Sequence, residues 1–115
     1  MPAETPDLDF QPKGLFIGGE WIKASSGQTI TTINPSNGDV LGEVPLANEV
    51  DVDKAVTSAK DAFPAWSALP VAKRPEYLLR LARTIDDNAE HLALMDAVDS
   101  GNAVSGMRAD MKWTA

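Results

Sequence analysis

The stretch TITTINPSNGDVLGEVPLANEVDVDKAVTSAKDAF, residues 29–63, changes its period halfway along. Thr29 to Ile33 is rich in β-branched residues, which suit a pleated strand. Pro35-Ser36-Asn37-Gly38 follows; proline presets φ and Asn-Gly accepts left-handed geometry, so this is a turn. Val40 to Val44 forms the return strand, with Val40, Gly42 and Val44 on one face and Leu41 and Glu43 on the other. Beyond Asn48 the apolar residues Val52, Ala55, Val56, Ala59 and Phe63 fall at i, i+3, i+4, i+7 and i+11, one stripe of an amphipathic helix. Asn48 is its expected N-cap. Glu49, Asp51 and Asp53 lie where the helix dipole favours negative charge, and Pro64 is expected to stop it.

Upstream, two apolar runs flank Gly18–Gly19. Adjacent glycines admit the positive φ of a two-residue hairpin turn. Leu15, Phe16 and Ile17 lead in, Trp21 and Ile22 lead out, and Ser25-Ser26-Gly27 marks another turn. Residues 1–13 carry Pro2, Pro6 and Pro12 and few apolar side chains, the composition of a flexible leader. Downstream, a second helix is expected from near Val71 to Asp86, with Leu78, Leu81, Ala82 and Ile85 in its stripe and Pro75 in its first turn. A third opens on an Asp87–Glu90 capping pair, carries Leu92, Met95 and Val98, and ends at Ser100–Gly101. A fourth has Val104, Met107 and Met111 at helical spacing and reaches Ala115 without a stop signal, the pattern of a truncated chain. The expectation is an α+β fragment: β-hairpins over residues 14–47, then about four helices over 48–115.

Composition narrows the function. The 115 residues are enough for one small domain. Seventeen acidic residues against 10 basic ones leave a net charge of −7. No basic run is available to replace phosphate counterions, so nucleic acid and anionic membrane are poor partners. No apolar stretch approaches a bilayer-spanning length. The chain has no cysteine, which removes disulfides, thiolate metal sites and a cysteine nucleophile. The N-terminus lacks a basic and apolar secretion signal, and a cytoplasmic address is expected by default.

Several motifs carry a family likeness. LFIGGEW at 15–21, TINPSNGDV at 32–40, DVDKAV at 51–56, AFPAW at 62–66, PVAKR at 70–74 and VDSGN at 98–102 occur in order and at the spacing of the aldehyde dehydrogenase superfamily. The chain resembles the N-terminal part of such an enzyme from about Gly14 onward. It departs from the pattern at Asn102, where the family often has lysine. The resemblance implies a longer parent, an α/β enzyme with a doubly wound cofactor-binding domain. It would oxidise an aldehyde to a carboxylic acid with NAD or NADP, through a cysteine thiohemiacetal and a glutamate base. Those groups and the glycine-rich cofactor segments lie beyond position 115 in the family pattern. This part would therefore be a scaffold that binds no cofactor, partnered by the remainder of the enzyme, in a parent expected to be a homo-oligomer.

The resemblance also implies a monovalent cation site, for sodium or potassium, made by the backbone carbonyls of Thr32 and Ile33 and the carboxylate of Asp99; hard oxygen donors suit such an ion. The plainer reading of Asp99 is a cap or ion pair near a helix end. His91, the only histidine, reads as a solvated helical residue, and the pairs Asp86–Asp87 and Asp96–Asp99 as solvated faces and caps. Trp21, Trp66 and Trp113 read as core or interface aromatics. The rival to a severed enzyme part is a non-catalytic, stand-alone interaction module that docks on a full-length enzyme through its apolar faces.

Overall fold

A computed structural model describes Leu8 and residues 14–115; the expected flexible leader over residues 1–13 lies, Leu8 apart, outside the described residues. The paired glycines make the first hairpin. Gly18 and Gly19 have φ of 64° and 85°, the double positive φ of a tight turn. They join β1 (Leu15–Ile17) to β2 (Glu20–Ile22) in antiparallel register. Phe16 and Trp21 face each other across it, ring centroids 5.0 Å apart. The second hairpin pairs β3 (Thr29–Ile33) with β4 (Val40–Pro45), and the two hairpins remain separate two-stranded sheets. A register break falls between Thr32 and Ile33, which pair with Gly42 and Val40. Leu41 is the extra residue. The bulge breaks the alternation expected for this strand: Val40 is 67% exposed while Gly42 and Val44 are half-buried.

Four helices follow: α1 (Glu49–Ser67), α2 (Lys73–Asp87), α3 (Ala89–Ser100) and α4 (Val104–Thr114). Asn48 caps α1 as expected. Its side-chain oxygen accepts from the N–H groups of Val50 and Asp51, while the Asp51 carboxylate reaches back to the Asn48 N–H at 3.2 Å, a closed capping box. Pro64 does not stop the helix. It costs one intrahelical donor, but it lies in the last turn, and Ala68 N–H still reaches its carbonyl at 3.1 Å, so α1 runs on to Ser67. Pro75 sits in the first turn of α2, where an N–H has no partner to lose. The Asp87–Glu90 capping pair does not form. Asn88 occupies the α2–α3 junction and turns its amide back to the Thr84 carbonyl at 2.8 Å, leaving α3 without a side-chain cap. Gly101 ends α3 in the left-handed region, φ 76°. A side chain there would also strike the Pro35 ring, since a Cβ would lie 2.8 Å from Pro35 Cγ.

The core is small and sits between α3 and α4, where Ala93, Ala97 and Met107 are buried and Val104 and Met111 pack against them. The stripe expected to bury α1 is open instead: Val52 is 55% exposed and Phe63 63%. Leu78 and Leu81 of α2 are equally open, and Trp21, Trp66 and Trp113 are no part of this chain's core. The reason is geometric. The chain spreads to 56 × 36 × 17 Å, with a radius of gyration of 17.3 Å; a compact domain of this length would have about 13 Å. Among the described residues, a slab this thin has no second layer to cover the outer faces of its helices.

The strongest tie between the hairpins and the helices is Asp51, 1% exposed. The Ser25 N–H donates to both carboxylate oxygens, at 3.1 and 3.0 Å, and the Ser25 hydroxyl donates to Oδ1. The Lys54 ammonium donates to that hydroxyl at 3.0 Å and lies 3.9 Å from Asp51 Oδ1. The Ser25 hydroxyl above all, helped by the backbone donors of Ser25 and Asn48 and by Lys54 against the opposing effect of burial, holds the Asp51 pKa below its ordinary 3.8. A depressed carboxylate stabilises the fold fully above its unfolded pKa, and the contribution is lost as pH falls through the folded value. Asp51→Asn is therefore expected to lower the denaturation midpoint at neutral pH and to leave a shallower loss of stability below pH 3.8 than the parent shows. Urea titrations of both chains across that range measure it; parallel acid limbs would remove Asp51 from this role.

Candidate functional site

Thr32, Ile33 and Asp99 come from opposite ends of the chain. Thr32 and Ile33 close β3 at the bulge, and Asp99 is the penultimate residue of α3. The fold brings Thr32 and Asp99 into contact: the threonine hydroxyl donates to Asp99 Oδ1 at 2.7 Å across 67 residues of sequence. Ile33 follows on the same strand, paired with Val40, its side chain 51% exposed.

The turn beside them is held tightly. Asn34, 5% exposed, accepts the Ser36 N–H on its side chain at 2.9 Å and the Gly38 N–H on its carbonyl at 2.8 Å. Its own N–H donates to the Asp39 carbonyl at 2.8 Å. Pro35 then lies against Gly101, so the hairpin tip and the α3 terminus meet at two neighbouring points. Gly101, without a side chain, leaves room for the Pro35 ring.

Beside Asp99, a groove between α3 and α4 is lined by Leu92, Met95, Asp96 and Met111. Its floor is apolar and its rim acidic. Across the hairpin, the Thr29 and Thr31 hydroxyls hold the Glu43 carboxyl below its usual range; Thr31 Oγ1 donates to it at 2.6 Å. At the other end of the helix pair, Arg108 donates twice to Glu90 and holds that carboxyl low. Both partners are more than half exposed, so this pair orients α4 on α3 more than it stabilises the fold.

Of the other residues singled out in the sequence, His91, Asp86, Asp87 and Asp96 are solvated side chains on helix faces. Among the described residues no three histidine, aspartate or glutamate side chains gather closely enough to hold a metal ion. Gly18–Gly19 leads into strand β2 and not into a helix, so it is a hairpin turn and lacks the helix N-terminus of a phosphate loop. Among them, no helix is long and apolar enough to cross a membrane. The Asp51–Ser25–Lys54 cluster is not legible as a unit in the sequence. The Asn48-x-x-Asp51 spacing signals the capping box, but nothing local points from Asp51 to Ser25.

Two hairpins thus meet a helical layer at the Ser25–Asp51 cluster and at the Thr32–Asp99 bond, in a chain without cysteine. Comparison with known proteins places it: the aldehyde dehydrogenase family profile matches residues 21–115, and the chain belongs to that family. It is 43% identical over 105 residues to an aldehyde dehydrogenase-like protein of Schizosaccharomyces pombe, a match covering 90% of this chain and 21% of the relative. Among solved structures it resembles HpcC of Thermus thermophilus, with 35% identity and a TM-score of 0.86 over 91% of this chain and 20% of that one. It resembles PnpE in complex with nicotinamide adenine dinucleotide, with 37% identity and a TM-score of 0.84 over 89% of this chain and 21% of that one. The chain thus spans about a fifth of the length of these relatives.

If the Thr32–Asp99 bond docks the hairpin, Thr32→Val, which keeps shape and removes the donor, should cost about 1 kcal/mol of stability. It should also speed amide exchange in β3 more than in α4. Hydrogen exchange read by mass spectrometry or NMR decides this, and uniform acceleration through both elements would argue against a local docking role.

Proposed function

We propose that this chain is the N-terminal scaffold portion of an NAD(P)-dependent aldehyde dehydrogenase. The whole enzyme would oxidise an aldehyde to a carboxylic acid through a cysteine thiohemiacetal, in the cytoplasm and as a homo-oligomer. The observation that carries the reading is the match to about a fifth of the length of such enzymes, by a chain with no cysteine of its own. A thiohemiacetal needs a thiolate, so the nucleophile must come from elsewhere in the enzyme. The open apolar faces of α1 and α2 support the same reading. Val52, Val56, Phe63, Leu78 and Leu81 form stripes that a self-sufficient domain would bury.

In this role the 115 residues bind neither aldehyde nor nucleotide. They supply shape: the capped N-terminus of α1, the β3–β4 hairpin and the α3–α4 pair form a rigid edge against which the remaining chain packs. Purified chain supplied with an aldehyde and either NAD or NADP is expected to produce no reduced nicotinamide above a buffer control. Activity that survives repurification to homogeneity would overturn the assignment.

We propose further that Thr32, Ile33 and Asp99 contribute to a monovalent cation site, with two strand carbonyls and one carboxylate as donors and at least one more from the remainder of the enzyme. The contact between Thr32 and Asp99 supports it, since it holds the carboxylate beside the end of the strand. Sodium or potassium should then slow amide exchange at the β3 terminus of the full chain at constant ionic strength, and Asp99→Ala should abolish the effect. A response that bulky organic cations reproduce equally would reduce it to screening.

A further inference from the structure

We infer that Asn37–Gly38, at the tip of the β3–β4 hairpin, is a latent deamidation site that the folded hairpin holds closed and that reacts once the hairpin opens. The turn needs this dipeptide. Gly38 has φ 82°, a conformation side chains resist, and asparagine before glycine is the turn chemistry that closes such a hairpin. The same pair is chemically exposed, because glycine has no Cβ to shield its backbone nitrogen from the preceding side chain.

The reaction has two steps. The Gly38 nitrogen gives up its proton and attacks Cγ of Asn37. A C–N bond forms, the Cγ–Nδ2 bond breaks, and Nδ2 leaves as ammonia with that proton. Water then opens the cyclic imide at either carbonyl, yielding aspartate or isoaspartate without any change of oxidation state.

Every polar atom that must move is engaged here. The Gly38 N–H donates to the Asn34 carbonyl at 2.8 Å. Asn37 Oδ1 accepts the Asp39 N–H at 3.0 Å, and Asn37 Nδ2 donates to Asp39 Oδ2 at 2.7 Å. The attacking nitrogen is committed to one side of the turn, and the amide it must reach is latched to Asp39. The turn is itself anchored, because Asn34 is buried and Pro35 rests against Gly101. Reaction therefore requires local opening, and its rate follows the population of the open turn. Isoaspartate would lengthen the backbone by one carbon between Asn34 and Asp39, so a hairpin that had reacted could not close again in the same register.

The test compares the 115-residue chain with a synthetic peptide of residues 32–42 in one mildly alkaline buffer. The one-dalton gain is followed by mass spectrometry and located by fragmentation. The chain is expected to react at least about tenfold more slowly than the peptide, as for other groups that react only on local opening. Asp39→Ala, made in both, should bring the chain rate toward its peptide's, while Asp61→Ala, on α1, should leave the chain rate unchanged. Equal rates in the parent chain and peptide would overturn the inference, whether the hairpin alone or the whole chain is open. A chain rate indifferent to Asp39→Ala would overturn the latch.

Discussion

One buried carboxylate holds the two halves of this chain together. Asp51 closes the N-terminus of α1 and receives three donor groups from the Ser25 loop and Asn48. A carboxylate can be 1% exposed only if donors replace its lost water, and here backbone N–H groups, a hydroxyl and the positive end of a helix do so together. Among the described residues the hairpins also meet the helices where Thr32 bonds Asp99, where Pro35 lies against Gly101, and where the tip of the first hairpin lies over Ser58. Polar and point-like contacts position elements accurately while burying little apolar area. The larger apolar faces of α1 and α2 are left open by this arrangement.

Much of this fold is legible in the sequence because it is local. The Gly18–Gly19 turn, the β3 boundaries, the Asn48 cap and the Gly101 stop each depend on a few adjacent residues whose backbone preferences agree. The departures from expectation have physical causes. Pro64 reads as a helix breaker, but it falls so close to the end of α1 that it breaks almost nothing. The bulge at Leu41 comes from pairing, which strand periodicity does not report. The Asp87–Glu90 pair loses to Asn88, whose amide is better placed to satisfy the carbonyls of the helix before it.

The candidate site is legible only through resemblance. Thr32 and Asp99 are 67 residues apart, and no periodicity connects them. Ser25 and Asp51 pose the same difficulty over 26 residues. The stripes on α1 and α2 are amphipathic as the sequence says, yet periodicity shows only that a face is apolar. It does not say what covers that face, and among the described residues nothing does.

The separation of Thr32 and Asp99 also bears on the order in which the molecule assembles. By loop-closure entropy alone, joining ends 67 residues apart costs about 1 kcal/mol more than joining ends 26 apart. The Ser25–Asp51 tie can form first, and the hairpin reaches α3 late. On a ribosome this order is enforced by direction. The β3–β4 hairpin emerges well before residue 99 has been made, and β3 has only β4 as its partner until Asp99 arrives. Three threonines in its five residues keep that waiting strand polar.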